Sequence, residues 1–142
     1  MSCDLVIGYG NTLRGDDGLG PRTAAAVAAW NRRDVRAIAC HQLGPELAER
    51  ISTARRVVFV DAAESAGPVR VSPREPGGAG EIVTHSADPR PLLGLAKALF
   101  GRCPPAWWVT IPASSFEFSE ELSAPARDGL SIALGRIQSV LS

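Results

Sequence analysis

The stretch Gly8-Tyr-Gly-Asn-Thr-Leu-Arg-Gly-Asp-Asp-Gly-Leu-Gly20 decides the fold class of this chain. It follows the short apolar run Leu5-Val6-Ile7, which is typical of a buried strand bounded by glycine. It leads into Pro21 and an alanine-rich segment, a pattern typical of a helix start. The sequence therefore predicts a strand, a glycine-rich loop and a helix in that order.

The predicted loop carries two adjacent carboxylates, Asp16 and Asp17. Glycine loops at such junctions usually cradle phosphate with backbone N–H groups and the positive end of the helix. Here Leu13 stands where a dinucleotide fingerprint has its third glycine, and the Lys-Ser/Thr pair of a P-loop is absent. The acidic loop therefore favours a cation or a polarised water over an anion. The alternative is that either aspartate only caps the first helix.

Composition limits the classes of function that the chain can have. Its 142 residues are 45% hydrophobic, so we expect one domain, residues 1–142, with a sizeable core. Formal net charge is zero and no basic stripe occurs, which argues against nucleic-acid or anionic-membrane binding. Three cysteines without a Cys-x-x-Cys pair favour the reducing cytoplasm. No apolar run approaches the roughly 20 residues of a membrane span.

Strand and helix patterns alternate along the chain. They predict a single-domain, three-layer α/β sandwich with a twisted, mostly parallel sheet of about five strands and helices on both faces. Between 62 and 84 the pattern weakens, which indicates a hairpin or a flexible loop with one returning strand. The predicted strands are 4–9, 35–40, 56–61 and 106–111, and the predicted helices are 19–31, 45–53, 90–101 and 123–141.

Short right-handed connections predict that the first strand is central, with the second and third on either side. Ligands of such sheets bind outside the carboxyl ends of the strands, where the strand order reverses. Asp17 follows the first strand, Asp61 ends the third, and His85 ends a later apolar segment, so the three are expected to converge. His85 alone would favour a structural or solvent-exposed histidine, and His41 is a spare candidate.

Two carboxylates and one imidazole can ligate a borderline divalent ion such as nickel or zinc and leave coordination positions free. Such a metal can polarise a carbonyl or lower the pKa of a bound water towards about 7. No Gly-x-Ser-x-Gly elbow or cysteine motif nominates a nucleophile, so a serine or cysteine hydrolase has little support.

Together, these residues resemble the hydrogenase maturation endopeptidases. The matching segments run in family order over nearly the whole chain: the glycine loop 8–20, His41-Gln-Leu-Gly-Pro-Glu-Leu-Ala-Glu49, Val57-Val-Phe-Val-Asp-Ala62, Thr84-His85, and Ile111-Pro-Ala-Ser-Ser-Phe-Glu-Phe118. The first and last segments are fairly specific to the family, and Val-Asp-Ala by itself is weak.

The resemblance implies a cytoplasmic endopeptidase that removes a C-terminal peptide from the large subunit of a nickel-iron hydrogenase after nickel insertion. It implies that Asp17, Asp61 and His85 are the metal-binding and catalytic residues. The nickel is recognised in the substrate precursor, so the protease need not hold a permanent metal. The family is classed by some criteria with aspartic-type peptidases. A monomer without nucleic-acid or membrane partners is expected.

Two departures from the family pattern stand out. Many relatives have glutamate where Asp17 stands, and many have Asp-Gly-Gly-Thr where this chain has Ala39-Cys40-His41-Gln42. Two other functions remain open at this point. One is a non-proteolytic nickel-binding chaperone or sensor on the same fold. The other is an anion-binding α/β enzyme with Arg14 and Arg22 as phosphate clamps.

Overall fold

Strands and helices alternate along the chain in the computed structural model, which describes residues 2–64, 66–77 and 88–142. The described strands are β1 (Asp4–Tyr9), β2 (Val35–Cys40), β3 (Val57–Ala63), β4 (Arg70–Arg74) and β5 (Ala106–Pro112). The α-helices are α1 (Leu19–Ala28), α2 (Ala48–Thr53), α3 (Arg90–Phe100) and α4 (Ala124–Val140), and short 3₁₀ turns span Gly15–Gly18 and Pro45–Leu47.

The strands form one sheet in the order β2-β1-β3-β5-β4. Strand β1 is parallel to both β2 and β3, and β3 is parallel to β5. Strand β4 is antiparallel to β5 and lies at the edge. The predicted mostly parallel sheet, with the first strand between the second and third, is confirmed. The strand order reverses between β1 and β3, which makes this pair the switch point of the sheet.

Alternate residues of the central strands face opposite helix layers, as the period of a pleated strand requires. In β1 and β3, Leu5, Ile7 and Phe59 pack in a core that includes residues of α2 and α3. Their neighbours Val6 and Val58 pack in a second core with residues of α1 and α4. Helices thus cover both faces, and the predicted three-layer arrangement is confirmed. No described helix has the length and apolar character that crossing a membrane needs.

The weakly patterned region 62–84 contributes the edge strand β4. Its Val71 pairs with Val109 of β5 in the antiparallel register. Among the described residues, β4 is one strand of this region, which both alternatives that the sequence left open include. The second predicted segment, Glu81-Ile82-Val83, lies outside the described residues. Helix α1 ends at Ala28, earlier than predicted, and Asn31 adopts a left-handed φ of 59° in the turn that follows.

A buried aspartate ties the amino ends of β1 and β3 to the end of α4. The carboxylate of Asp4 accepts hydrogen bonds of 2.8–3.1 Å from the guanidinium groups of Arg55 and Arg56. Arg56 also donates to the carbonyl oxygens of Val140 and Leu141, each at 3.1 Å. Burial raises the pKa of Asp4, but the arginine hydrogen bonds outweigh it and the pKa is lowered. This ionised cluster stabilises the amino edge of the sheet.

Helix α1 packs directly on the backbone of the sheet because two glycines face each other at the contact. A Cβ atom on Gly8 of β1 would overlap the carbonyl oxygen of Gly20 in α1. A Cβ atom on Gly20 would in turn collide with carbonyl oxygens of β1 and β3. The contact fixes the start of α1, and with it the turn that carries Asp17, against the switch point.

We expect Gly8→Ala to lower the free energy of unfolding by at least the 1–3 kcal/mol typical of an overpacked core, because backbone atoms lie where the methyl group would go. Gly135→Ala is the matched control, since its added methyl group meets nothing within 4 Å and α4 is helical there. That change should raise stability by up to about 1 kcal/mol. Urea denaturation of both variants measures the difference. Equal stability of the Gly8 variant and the wild type would contradict the packing.

Candidate functional site

Two carboxylates meet at the switch point of the sheet. Asp61 is near the carboxyl end of β3 with only 8% of its surface exposed. Asp17 lies in the 3₁₀ turn that follows β1, and its negative charge acts on Asp61. The structure therefore places both of these predicted residues at the carboxyl edge, where ligands of α/β sheets bind.

Asp61 is a carboxyl group that holds its proton up to neutral pH. Burial raises its pKa, a hydrogen bond from the Ala62 N–H lowers it, and the charge of Asp17 raises it again, to a value of about 7. A carboxyl with this pKa can donate or accept a proton near neutrality. It can also release that proton to bind a cation, because an added positive charge favours the ionised form. Such a perturbed group in a crevice is typical of a functional site.

Asp17 is held in place by the loop that precedes it. Its Oδ2 accepts a hydrogen bond of 3.0 Å from the N–H of Asn11, whose own Oδ1 accepts one of 2.9 Å from the N–H of Leu13. Gly10 has a φ of 145°, and the carbonyl of Asp17 occupies the space that a Cβ there would need. The bend at Gly10 thus brings the turn back over the end of β1 and fixes the direction of the Asp17 side chain.

Asp16 bonds to a segment that is distant in sequence and holds it next to the turn. Its fully buried carboxylate accepts hydrogen bonds from the backbone N–H groups of Ser114, Ser115 and Ser123, at 2.8–3.1 Å. The hydroxyl groups of Ser114 and Ser123 donate to it as well, at 3.2 and 2.7 Å. Burial raises the pKa of Asp16, but these hydrogen bonds outweigh it and the pKa is lowered.

The alternative in which these aspartates cap the first helix is wrong. Helix α1 begins after Gly18, without a side-chain capping hydrogen bond. Asp17 bonds to Asn11 instead, and Asp16 bonds to the segment before α4. The Ser123 hydroxyl connects the two elements, because it donates to Asp16 and accepts from the N–H of Ala126 as the N-cap of α4.

The third predicted site residue, His85, lies outside the described residues. The chain is described again from Asp88, just before α3. His41 is exposed at the carboxyl end of β2, in the loop that leads to α2. The described residues contain no group of three His, Cys, Asp or Glu side chains that could hold a metal ion. The metal-binding and catalytic roles of Asp17, Asp61 and His85 therefore stay predictions.

Tyr9 is a site residue that sequence reasoning missed. It is buried at the end of β1, and burial raises the pKa of its hydroxyl, as do the charges of Asp61 and Asp88. The neutral phenol therefore lies near the two carboxylates from β3 and the start of α3. The signal in the sequence was the alternation along β1, which puts Tyr9 on the same side of the sheet as Leu5 and Ile7.

The two arginines suggested as phosphate clamps are engaged elsewhere. The guanidinium group of Arg14 lies over the ring of Phe116, 6.0 Å from its centre. Arg22 donates a hydrogen bond to the carbonyl oxygen of Glu120. Both side chains thus contact the segment before α4, and their neighbour in the loop is the acidic Asp17. This arrangement disfavours an anion-binding loop.

Several solved structures with a similar fold are described as hydrogenase maturation proteases. The chain is similar to the [NiFe] hydrogenase maturation protease HycI from Thermococcus kodakarensis KOD1, with 23% identity, a TM-score of 0.75, and coverage of 99% of this chain and 92% of that one. The chain is also similar to the hydrogenase 2 maturation peptidase from Thaumarchaeota archaeon SCGC_AB-539-E09. The identity is 24%, the TM-score is 0.71, and the match covers 99% of this chain and 98% of that one.

The hydrogenase maturating endopeptidase HybD from E. coli is 22% identical, with a TM-score of 0.72 and coverage of 98% of this chain and 91% of that one. No protein-family model and no curated protein sequence matches the chain. At these identities the likeness shows the fold, which confirms the resemblance inferred from the sequence at that level.

Asp61→Asn should change how stability depends on pH in the metal-free protein. An unfolded aspartate ionises near pH 4, whereas folded Asp61 keeps its proton up to about pH 7. Between these values Asp61 should lower the wild-type free energy of unfolding by up to about 1.4 kcal/mol per pH unit. Asparagine does not titrate, so the free energy of unfolding of the variant should increase relative to that of the wild type as pH rises. Urea denaturation with a chelator present measures this.

The control for that experiment is Asp128→Asn, which removes an exposed carboxylate from α4. Its stability relative to the wild type should stay nearly constant over the same pH range. If the Asp61 variant behaves like this control, the carboxyl group is not destabilised by its surroundings.

Asp16→Asn should lower the free energy of unfolding by at least about 2 kcal/mol, because hydrogen bonds to a buried charge are lost and an amide faces N–H donors. Since the folded pKa is lowered, the contribution of Asp16 is present above about pH 4 and is lost as pH falls through the folded pKa. The difference should therefore shrink in acid. Asp34→Asn, which removes a half-exposed ion pair with Arg32, should have little effect.

Proposed function

We propose that this protein is an endopeptidase that removes a C-terminal peptide from the nickel-loaded precursor of a nickel-iron hydrogenase large subunit. The observation that carries the proposal is the pair Asp17 and Asp61, two carboxylates kept close together at the switch point. The fold that the chain has in common with hydrogenase maturation proteases adds to it. We further propose that the protein acts in the cytoplasm as a monomer.

The donor set suits a divalent metal ion held by the substrate. Bringing Asp61 close to Asp17 costs free energy while both are ionised, and a cation between them removes that cost. The bond from Asn11 uses Oδ2 of Asp17, and no other described residue donates a hydrogen bond to this carboxylate. His85 would add an imidazole nitrogen, which suits nickel. The precursor supplies the nickel and its remaining ligands.

Hydrolysis would follow from the same arrangement. Docking of the precursor brings the scissile peptide beside a metal that can polarise its carbonyl or activate a water. Asp61 is the described side chain at the site that can exchange a proton near neutral pH. Binding of the metal would favour the ionised form, so nickel-loaded substrate would shift Asp61 from partly protonated to ionised. In this sense the carboxyl groups would give the enzyme an aspartic-type chemistry.

This coupling makes nickel insertion a condition for cleavage. Without nickel, Asp61 is only partly ionised at neutral pH and the precursor lacks the metal contact with the two carboxylates. General peptides carry no nickel, so they lack the group that the two carboxylates recognise. We therefore expect no cleavage of casein and no cleavage of the nickel-free precursor.

The test is incubation with purified large-subunit precursor, with and without nickel, followed by mass spectrometry. Wild-type protein should make a single cut near the C-terminus of the nickel-loaded form alone. Asp17→Ala, Asp61→Ala and His85→Ala should each lower the cleavage rate by at least about 100-fold, because a lost metal ligand costs more than the 10–100-fold typical of its supporting residues. Asp128→Ala on α4 should cleave normally. Cleavage of nickel-free precursor at a similar rate would overturn the mechanism.

Two further outcomes discriminate between the remaining alternatives. Binding of the nickel-loaded precursor without any shortening would favour the non-proteolytic chaperone or sensor. Asp17→Glu restores the residue found in many relatives of the resembled family, and this variant should remain active because it keeps the charge. Each variant is checked for folding by circular dichroism before its rate is compared.

A further inference from the structure

A ridge of exposed apolar side chains lies beside the candidate site. We define the docking ridge as residues 13–14 together with residues 114–123, the segment between β5 and α4. Phe118 on this ridge is 87% exposed and Leu13 is 45% exposed. The backbone N–H of Ser119 donates a 2.9 Å hydrogen bond to the carbonyl oxygen of Leu13, so the two parts of the ridge are neighbours. Exposed aromatic side chains of this kind mark interaction surfaces.

The docking ridge is held rigidly although it has no regular secondary structure over most of its length. Asp16 accepts hydrogen bonds from Ser114 and Ser115 at one end of the segment and from Ser123 at the other. The N–H groups of Gly15 and Asp16 donate to the carbonyl oxygens of Ser119 and Ser115, both at 2.8 Å. A partner that docks here therefore loses little free energy to ordering of the ridge, which is the advantage of a pre-organised surface.

Acidic side chains surround Phe118. Glu117, Glu120 and Glu121 are all exposed, and no described lysine or arginine forms an ion pair with any of them. Three arginines contact this segment without forming an ion pair with these glutamates: Arg14 lies over Phe116, Arg22 donates to the carbonyl oxygen of Glu120, and Arg127 donates to that of Leu122. With three glutamates and Arg14 among its own residues, the docking ridge combines an exposed aromatic side chain with a net negative charge. Its complement is a positively charged segment that presents an apolar side chain.

The opposite edge of the sheet has the opposite charge. Five arginines precede the strands there, in the loops that enter β2, β3 and β5: Arg32, Arg33, Arg55, Arg56 and Arg102. The acidic residues at that edge include Asp4 and Asp34, which pair with some of these arginines, and Glu75, which follows β4. The formal net charge of zero therefore conceals two edges of opposite sign. Such a separation orients an approaching charged partner and raises its association rate.

We propose that the docking ridge binds a basic surface segment of the hydrogenase precursor, with an apolar side chain of that segment packed on Phe118 and Leu13. The inference rests on the proposed function and specifies how its substrate is recognised away from the metal. The ridge leads directly into the turn of Asp17, because the N–H of Asp17 donates to the carbonyl oxygen of Arg14 at 3.1 Å. A precursor seated on the ridge thus lies next to the paired carboxylates.

Steady-state cleavage of the nickel-loaded precursor tests this proposal. Phe118→Ser should raise KM about tenfold, since a central aromatic anchor is removed. Glu117→Lys should lower kcat/KM about tenfold at low salt and flatten its decline with NaCl concentration, because screening acts on the charge that has been reversed. The matched controls are Ile132→Ser, an exposed apolar residue of α4, and Glu75→Lys, an exposed charge beyond β4. Both controls should keep the wild-type KM and salt dependence.

The outcomes separate the docking ridge from the proposed function. If the wild type cleaves the precursor and both ridge variants match their controls, the docking proposal is wrong and the proposed function stands. If the wild type does not cleave nickel-loaded precursor, the proposed function fails and the docking proposal fails with it. Sedimentation of the protein alone gives a third result. Self-association that Phe118→Ser abolishes would assign the ridge to a second copy and overturn its assignment to the precursor.

Discussion

The buried carboxylate of Asp16 holds the carboxyl edge of this molecule together. Three serines from the segment before α4 donate to it, and its partners lie 98–107 residues further along the chain. An ionised carboxylate is tolerated in a buried position only when hydrogen bonds replace its hydration. Here one anion orders the start of α4, the segment that carries Phe118, and the turn that carries Asp17. Its loss would loosen all three, although the turn is about 100 residues away in sequence from the other two.

Asp16 and Asp17 have opposite roles because of the turn in which they lie. A 3₁₀ turn has three residues per turn, so consecutive side chains point about 120° apart. In the turn Gly15–Gly18, Asp16 faces the serine donors while Asp17 faces the end of β3. Because of this turn, one of two identical side chains stabilises the fold and the other lies at the candidate site.

Much of the fold could be predicted because its signals are local. The apolar run Val57–Val60 and the glycine loop each specify an element within a few residues. The parallel order then followed from the rules for connections, and the end of β3 placed Asp61 at the correct edge. The likeness to known maturation proteases agrees with this architecture.

Other features depend on contacts that no local pattern encodes. The role of Asp16 could not be predicted, since its donors come from the far end of the chain. The direction of β4 was equally open, because alternation has the same period in parallel and antiparallel strands. The raised pKa of Asp61 requires burial and a nearby charge together, and both result from tertiary packing. The role of His85 is a prediction from the sequence alone, because that residue lies outside the described part of the chain.

The buried aspartates at the two edges of the sheet have pKa values that are shifted in opposite directions. At the amino edge Asp4 is neutralised by two arginines, which lowers its pKa and stabilises the fold. At the carboxyl edge Asp61 is buried beside another carboxylate, and its pKa rises to about 7. Arginine is abundant in this chain, so an arginine could have neutralised Asp61 in the same way. Two carboxylates placed close together destabilise the folded protein while both are ionised, and a bound cation removes that cost. The proposed recognition of a metal in the substrate depends on this difference in free energy.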